Sequence, residues 1–298
     1  MCGIVGLFLK DKALEPDLGN LLSDMLITMS DRGPDSAGIA LYNETDQGRS
    51  KITVQSDNAD KDFETLHGAL QKELKADIDM TLKDTHAVFK VAEDQVDHIR
   101  DFIVASFPSV RVMSSGESVE IYKEVGLPKS VVERFDIRQM AGTHGVGHTR
   151  MATESAVTTL GAHPFSTDED QCLVHNGSLS NHNSLRRKLI RDGMTFETEN
   201  DTEVGAAYLA NKMQKGASLG EALEAGLKDL DGFYTFVIGT KDGFGVLRDP
   251  IACKPAVLAE TDQYVAFGSE YRALVDLPGI DQAKVWEPEP ATVYFWER

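Results

Sequence analysis

The sequence has 298 residues, about two average domains' worth, with one large domain also within range. Apolar residues make up 41% and charged residues 26%, ample for a buried core and too apolar for a disordered tail protein. Thirty Lys and Arg against 48 Asp and Glu leave a net charge of −18, which argues against binding through nucleic-acid phosphates or an anionic membrane surface.

MCGIVGLFL reads as a short buried strand, closed by Lys10, Asp11 and Lys12. Its opening has no basic segment and too short an apolar run for a secretory leader, and no later stretch reaches the roughly 18 apolar residues of a membrane span. Asp17 then introduces a helix whose apolar residues, Leu18, Leu21, Leu22, Met25, Leu26 and Met29, share one face. The helix stops at Asp31-Arg32-Gly33-Pro34, and Ala37 to Tyr42 returns as a strand.

The middle, about 56 to 140, differs in texture. Residues 60–76 are polar and helical, His86 to Ala92 reads as a strand, and Val96, Ile99, Phe102, Ile103 and Phe107 mark a helix. Strands near Val110–Met113 and Ser118–Lys123 complete a unit large enough to pack its own sheet. It is expected to be an inserted small α/β subdomain, serving either as a docking surface for another subunit or as a decoration. Beyond Gly142, strands at 143–150, 172–175, 233–239, 243–248, 255–260, 264–268 and 291–296 alternate with helices near 181–192, 202–215 and 218–228. The continuous apolar run from Thr235 to Ile238 belongs to a strand covered on both faces, so a layered sandwich of helices and sheets is expected.

Three cysteines, Cys2, Cys172 and Cys253, form neither a disulfide framework nor metal-ligand spacing, which fits a reducing, cytoplasmic setting. Methionine before a small residue is commonly trimmed, and trimming exposes a thiol and an α-amine on Cys2. Groups of these two types titrate within about two units of neutral pH, so the amine can take the thiol proton without a separate histidine.

Several segments accompany this cysteine in order. They are RGPDSAG (32–38), GHTRMATES (147–155), AHPF (162–165), HNG (175–177) and DTE (201–203), then DGFYTFV (231–237), RDPIACKP (248–255) and GSE (268–270). The set resembles the class II glutamine amidotransferases, a branch of the N-terminal-nucleophile hydrolases, over nearly the whole chain except the middle insert. The resemblance implies an α+β fold, a four-layer αββα sandwich over residues 1–298, and hydrolysis of L-glutamine to glutamate and ammonia through a Cys2 thioester.

It also implies the site. Attack on an amide creates an oxyanion that needs aimed donors, and the family sets its oxyanion hole at the Asn-Gly pair matched by Asn176 and Gly177. Without the other motifs, Asn-Gly is good turn chemistry. Arg150 matches the clamp for the substrate α-carboxylate and Asp201 the acceptor of its α-ammonium, with Thr153 as a further substrate contact. As isolated residues, Arg150 would be a surface charge and Asp201 a helix N-cap. Arg32 corresponds to a loop-ordering arginine near the nucleophile. His148, His163 and His175 read as packing residues rather than bases or metal ligands, Cys172 as a core thiol, and Cys253 has no role. One departure concerns 151–154: the glucosamine-phosphate synthases have an aromatic where Met151 stands and a histidine where Glu154 stands.

No metal and no cofactor is expected, since the sequence lacks a Gly-rich nucleotide motif, a flavin signature and an iron–sulfur cysteine cluster. Nor is there a sugar-isomerase or phosphoribosyl-binding signature. The ammonia acceptor is therefore expected on another chain, a synthase subunit of glutamate-synthase-like or N-methylglutamate synthase type, itself flavin-containing. Two other readings stay open: an N-terminal-nucleophile hydrolase of a different amide, and a non-catalytic regulatory subunit of the same fold.

Overall fold

In the computed structural model, which describes residues 2–43, 47–152 and 156–298, every residue of the first strand, β1 (Gly3–Leu9), is buried. The chain continues through α1 (Leu18–Thr28) and β2 (Ser36–Tyr42), then β3 (Arg49–Gln55), α2 (Ala59–Leu74), β4 (Asp79–Lys83), β5 (His86–Ala92), α3 (Val96–Ser106) and β6 (Arg111–Gly116). Next come β7 (Val119–Val125), α4 (Pro128–Arg134), β8 (His144–Arg150), β9 (Cys172–Leu179), α5 (His182–Arg191), α6 (Asp201–Gln214) and α7 (Leu219–Asp229). The remainder is β10 (Gly232–Gly239), β11 (Gly243–Arg248), β12 (Val257–Glu260), β13 (Tyr264–Gly268), β14 (Lys284–Trp286) and β15 (Thr292–Glu297).

Two antiparallel sheets stack face to face. One has seven strands in the order β14-β12-β13-β1-β8-β2-β7, the other four in the order β15-β11-β10-β9. Alternation along each strand builds the layers. Ile4 and Phe8 of β1 join Ala40, Val146, Val174, Val237, Val246 and Phe267 between the sheets. Val5, Leu7 and Leu9 point the other way, against Leu22, Leu26, Val131 and Phe135 of the α1 and α4 layer. On the far side, Leu173, Phe236, Ile238 and Leu247 pack under Leu189, Val204, Leu209 and Leu223 of α5, α6 and α7. Helix, sheet, sheet, helix is the expected four-layer sandwich.

A third sheet, β4-β5-β3-β6, stands beside these layers with α2 and α3 on one face, around Ile52, Phe63, Phe89, Ile99 and Ile103. It is drawn from Arg49 to Gly116, whereas β7 and α4 pair and pack within the main sandwich. Asp170 fastens the exit of this sheet. Its carboxylate accepts the backbone N–H groups of Glu117 (2.8 Å), Ser118 (2.8 Å) and Val119 (3.0 Å), and the Ser118 hydroxyl as well (2.8 Å).

Candidate active site

The site lies at one end of the sandwich, where strands of both main sheets and the start of α6 converge on a cleft of about 780 Å³. Cys2 precedes β1, one step beyond the Gly3–Thr149 pair, so it faces the end of β8 at Arg150. Its carbonyl accepts Nε of Arg32 (3.0 Å) and Nδ2 of Asn176 (3.1 Å). Arg32 in turn pairs with Glu270 through Nη1 (2.5 Å), and Arg272 braces the other oxygen of that carboxylate (2.7 Å). The hydrogen bond from Arg32 holds the Glu270 carboxyl below its usual range. Beside it, Ser269 exchanges two hydrogen bonds with the backbone of Ile4, each 2.9 Å. The motif 268–270 therefore anchors Ile4 of β1, and Arg32 anchors Cys2 itself.

Asn176 and Gly177 are not a turn. They sit inside β9, paired with Thr235 and Tyr234 of β10. Gly177 has φ +142°, and a β-carbon there would stand 1.9 Å from the Phe233 carbonyl oxygen, so only glycine fits. Both residues line the cleft, Asn176 almost fully buried and Gly177 open. Asn176 Nδ2 carries two hydrogens, and the Cys2 carbonyl engages one of them.

Arg150, 9% exposed, lines the same cleft, and its carbonyl accepts the N–H of Asp35 (3.1 Å). Asp35 Oδ2 takes the N–H of Ala152 (2.8 Å), which orders the chain leaving β8. Asp201 opens α6 without capping it, for the cap is Asn200, whose side chain accepts the Thr202 N–H (2.9 Å). Asp201 Oδ2 instead accepts the N–H of Leu179 (2.9 Å), tying α6 to the end of β9. Glu203 holds the preceding loop by accepting the N–H groups of Glu197 (2.7 Å) and Thr198 (2.9 Å). Thr153 and Glu154 lie outside the described residues.

At the cleft wall, which His163 and His175 line, three histidines from separate segments interlock. His148 and His163 stack with centroids 4.0 Å apart. His148 Nε2 donates to the His175 carbonyl (3.1 Å), and His163 Nδ1 accepts the His175 N–H (3.4 Å). That leaves His163 Nε2 to donate to Thr202 Oγ1 (3.3 Å), whose proton goes to His175 Nδ1 (3.0 Å). His163, accepting at one nitrogen and donating at the other, is therefore neutral. Burial pushes His148 down to about 3 and His163 well below its ordinary value; it lowers His175 too, with Asp201 opposing and Lys254 assisting. His86 and His144 are pushed to about 3 by the same cause.

The linkage has a definite sign. Depressed folded-state values mean the unfolded chain binds more protons below pH 6.5, so stability present above that pH is lost on acidification toward 3. A urea midpoint falling steadily from pH 6.5 to 4.5 is the expected result, and a constant midpoint over that range contradicts it.

Three contributors were not singled out from sequence. Glu270 is one and Thr202 another. The third is Lys254, on the cleft rim and 5.1 Å from the Phe233 ring centroid. Its loop is shaped by Arg248, which reaches the Ala252 carbonyl (3.0 Å), the Lys254 carbonyl (3.4 Å) and the Pro288 carbonyl. Among the described residues no group of three or more His, Cys, Asp or Glu side chains is arranged to hold a metal ion.

Residues 137–294 match the family model described as a glutamine amidotransferase domain. The chain belongs to this family. Over 297 residues the amidotransferase is 67% identical to the glutamine amidotransferase-like protein GlxB of Rhizobium meliloti (strain 1021), covering 100% of this chain and 98% of that one. It is 31% identical over 183 residues to an amidophosphoribosyltransferase of Methanocaldococcus jannaschii, 60% of this chain and 38% of that protein. The solved glutamine phosphoribosylpyrophosphate amidotransferase of B. subtilis, complexed with ADP and GMP, shares the fold at TM-score 0.63 and 19% identity. That alignment spans 99% of this chain and 47% of the other, so the amidotransferase here corresponds to about half of that enzyme. The class is thus class II, with the N-terminal-nucleophile sandwich as its fold. No helix among the described residues is long and apolar enough to cross a membrane.

Proposed function

We infer that the cleft hydrolyses the side-chain amide of L-glutamine and passes the ammonia to a synthase on another chain. The observation carrying this reading is the convergence of Cys2, Asn176, Gly177, Arg150 and Asp201 on one cleft from four separate stretches of sequence.

Their geometry supports the following chemistry. Once Met1 is removed, the Cys2 amine takes the thiol proton and the thiolate attacks the δ-carbon of glutamine. The oxyanion receives the Gly177 N–H and the second N–H of Asn176, the first being engaged by the Cys2 carbonyl. The protonated amine delivers its proton to the departing amide nitrogen, releasing ammonia and leaving a γ-glutamyl thioester. Water, deprotonated by the same amine, then releases glutamate and restores the thiol. Arg150 grips the α-carboxylate, helped by the positive Lys254 at the rim. The α-ammonium meets Asp201 Oδ1, since Oδ2 is engaged by Leu179. Thr153 adds a substrate contact.

Within this reading the sheet unit 49–116 is the inserted subdomain and a docking surface for the acceptor subunit. That subunit is a flavin-containing synthase of glutamate-synthase-like or N-methylglutamate synthase type. The near-complete overlap with GlxB supports a separate glutaminase chain. A thiol nucleophile needs reducing surroundings, which supports a cytoplasmic location.

Intact mass measured before and after a glutamine-mimicking diazo-ketone tests the site. Expected are loss of Met1 and one adduct, absent in Cys2→Ala. A processed chain left unmodified at saturating reagent sinks the reading.

A further inference from the structure

Lys123 is a buried charge that the hydrolysis just described does not use. It belongs to β7 at the edge of the seven-stranded sheet, opposite Gly38 of β2, and is 4% exposed. Its ammonium donates to three carbonyls of one segment: Leu160 (3.3 Å), Ala162 (2.8 Å) and Pro164 (3.1 Å). It also sits 4.6 Å from the Phe165 ring centroid. The inner side of that segment is a wall of the glutamine cleft, through Leu160, Gly161 and His163.

We propose that Lys123 is a positioning residue for glutamine binding, gathering the 160–164 carbonyls so that the cleft wall and His163 are held in register with the substrate-binding residues. The inference rests on the amidotransferase reading of the cleft.

Four observations support it. The segment crosses the sheet at Gly38, where a β-carbon would stand 2.1 Å from the His163 carbonyl oxygen, so its seat on the sheet is close and specific. The neighbouring residue Glu124 accepts the Thr159 hydroxyl, so two successive β7 side chains hold the same segment. His163 carries the constraint inward: it bonds the residues next to Asn176 and Asp201, namely His175 and Thr202. Finally, burial pushes the Lys123 ammonium down only to about 8, with the carboxylates of Glu197 and Glu203 opposing, so it keeps its proton at neutral pH. A compact ammonium with three donors suits three converging carbonyls, which a planar guanidinium does not.

Cys2 has two holds that do not pass through this segment, Arg32 and the Ser269–Ile4 pair. Loss of Lys123 therefore acts on binding rather than on the nucleophile. The test is the inactivation kinetics of the full chain with the glutamine-mimicking diazo-ketone, beside alkylation of Cys2 by iodoacetamide read by peptide mapping. Lys123→Met is expected to raise the diazo-ketone KI at least tenfold, with the saturating rate within threefold and the iodoacetamide rate within twofold of the parent. If that variant does not accumulate folded, Lys123→Arg is measured instead, with a KI rise of at least fivefold expected under the same two conditions. A folded variant with parental KI overturns the proposal, as does a parallel loss of both alkylations. A parent chain that the diazo-ketone never alkylates overturns the amidotransferase reading beneath it, and this inference with it.

Discussion

Replacing Cys2 by alanine is expected to lower glutamine hydrolysis by at least about four orders of magnitude, because nothing else in the cleft can form the thioester. The other thiols cannot substitute. Cys172 lies between the sheets, accepts the Tyr42 hydroxyl at 3.3 Å and is pushed up to about 12 by burial. Cys253 is exposed and does not line the cleft. Burial lowers the proton affinity of His148, His163 and His175, which makes each a weak base. On the proposed mechanism the base is the α-amine of Cys2. A chain that retains a residue before Cys2 is accordingly expected to lose activity to a similar degree, although its thiol is intact. Ammonia release measured on the parent, on Cys2→Ala and on such an extended chain checks both statements. An alanine variant within tenfold of the parent removes Cys2 from the mechanism.

The sandwich was legible where burial is two-sided or strictly periodic. β1 is apolar throughout, and the Leu18, Leu22, Met25, Leu26 and Met29 face of α1 is buried as its spacing implies. β3 and β4 were missed because each carries only two apolar residues. β3 (RSKITVQ) buries Ser50 and Lys51, the latter beside Glu120 at 3.0 Å, and β4 is a largely exposed edge. Each alternates, but over only two apolar residues, Ile52 and Val54 in β3 and Met80 and Leu82 in β4, too few to stand out. α4 is only seven residues long with proline in its first turn, so it gives little helical signal.

At the site, local chemistry and tertiary pairing disagree in an instructive place. Asn-Gly is a strong turn signal, and it makes the strand read as ending at 175, yet β9 runs to Leu179 because β10 pairs with it across the whole length. The positive φ of Gly177 is what the glycine serves, within a strand instead of a turn. Asp201 likewise suggests a cap, while Asn200 one step earlier performs it. The histidine interlock and the line from Glu270 through Arg32 to Cys2 join residues up to 238 positions apart, and no local pattern carries such information.

Asn176→Ala is expected to reduce kcat by about 10²–10³-fold with KM within about threefold, the signature of a donor that acts on the oxyanion more than on bound glutamine. The structure adds a complication, because Asn176 Nδ2 also holds the Cys2 carbonyl, so part of the loss comes from a looser nucleophile. Arg32 separates the two contributions. It bonds the same carbonyl at 3.0 Å but does not line the cleft, so Arg32→Met removes one tether without removing an oxyanion donor. If Asn176 serves the oxyanion, its alanine variant loses at least tenfold more kcat than Arg32→Met. Asn176→Asp is expected to fall at least as low as the alanine variant, since a carboxylate donates nothing to the oxyanion and repels both it and the Cys2 carbonyl. Steady-state kinetics on the three variants, with folded content matched by circular dichroism, decides the matter. Equal losses in Asn176→Ala and Arg32→Met reduce Asn176 to a tether and leave Gly177 as the donor.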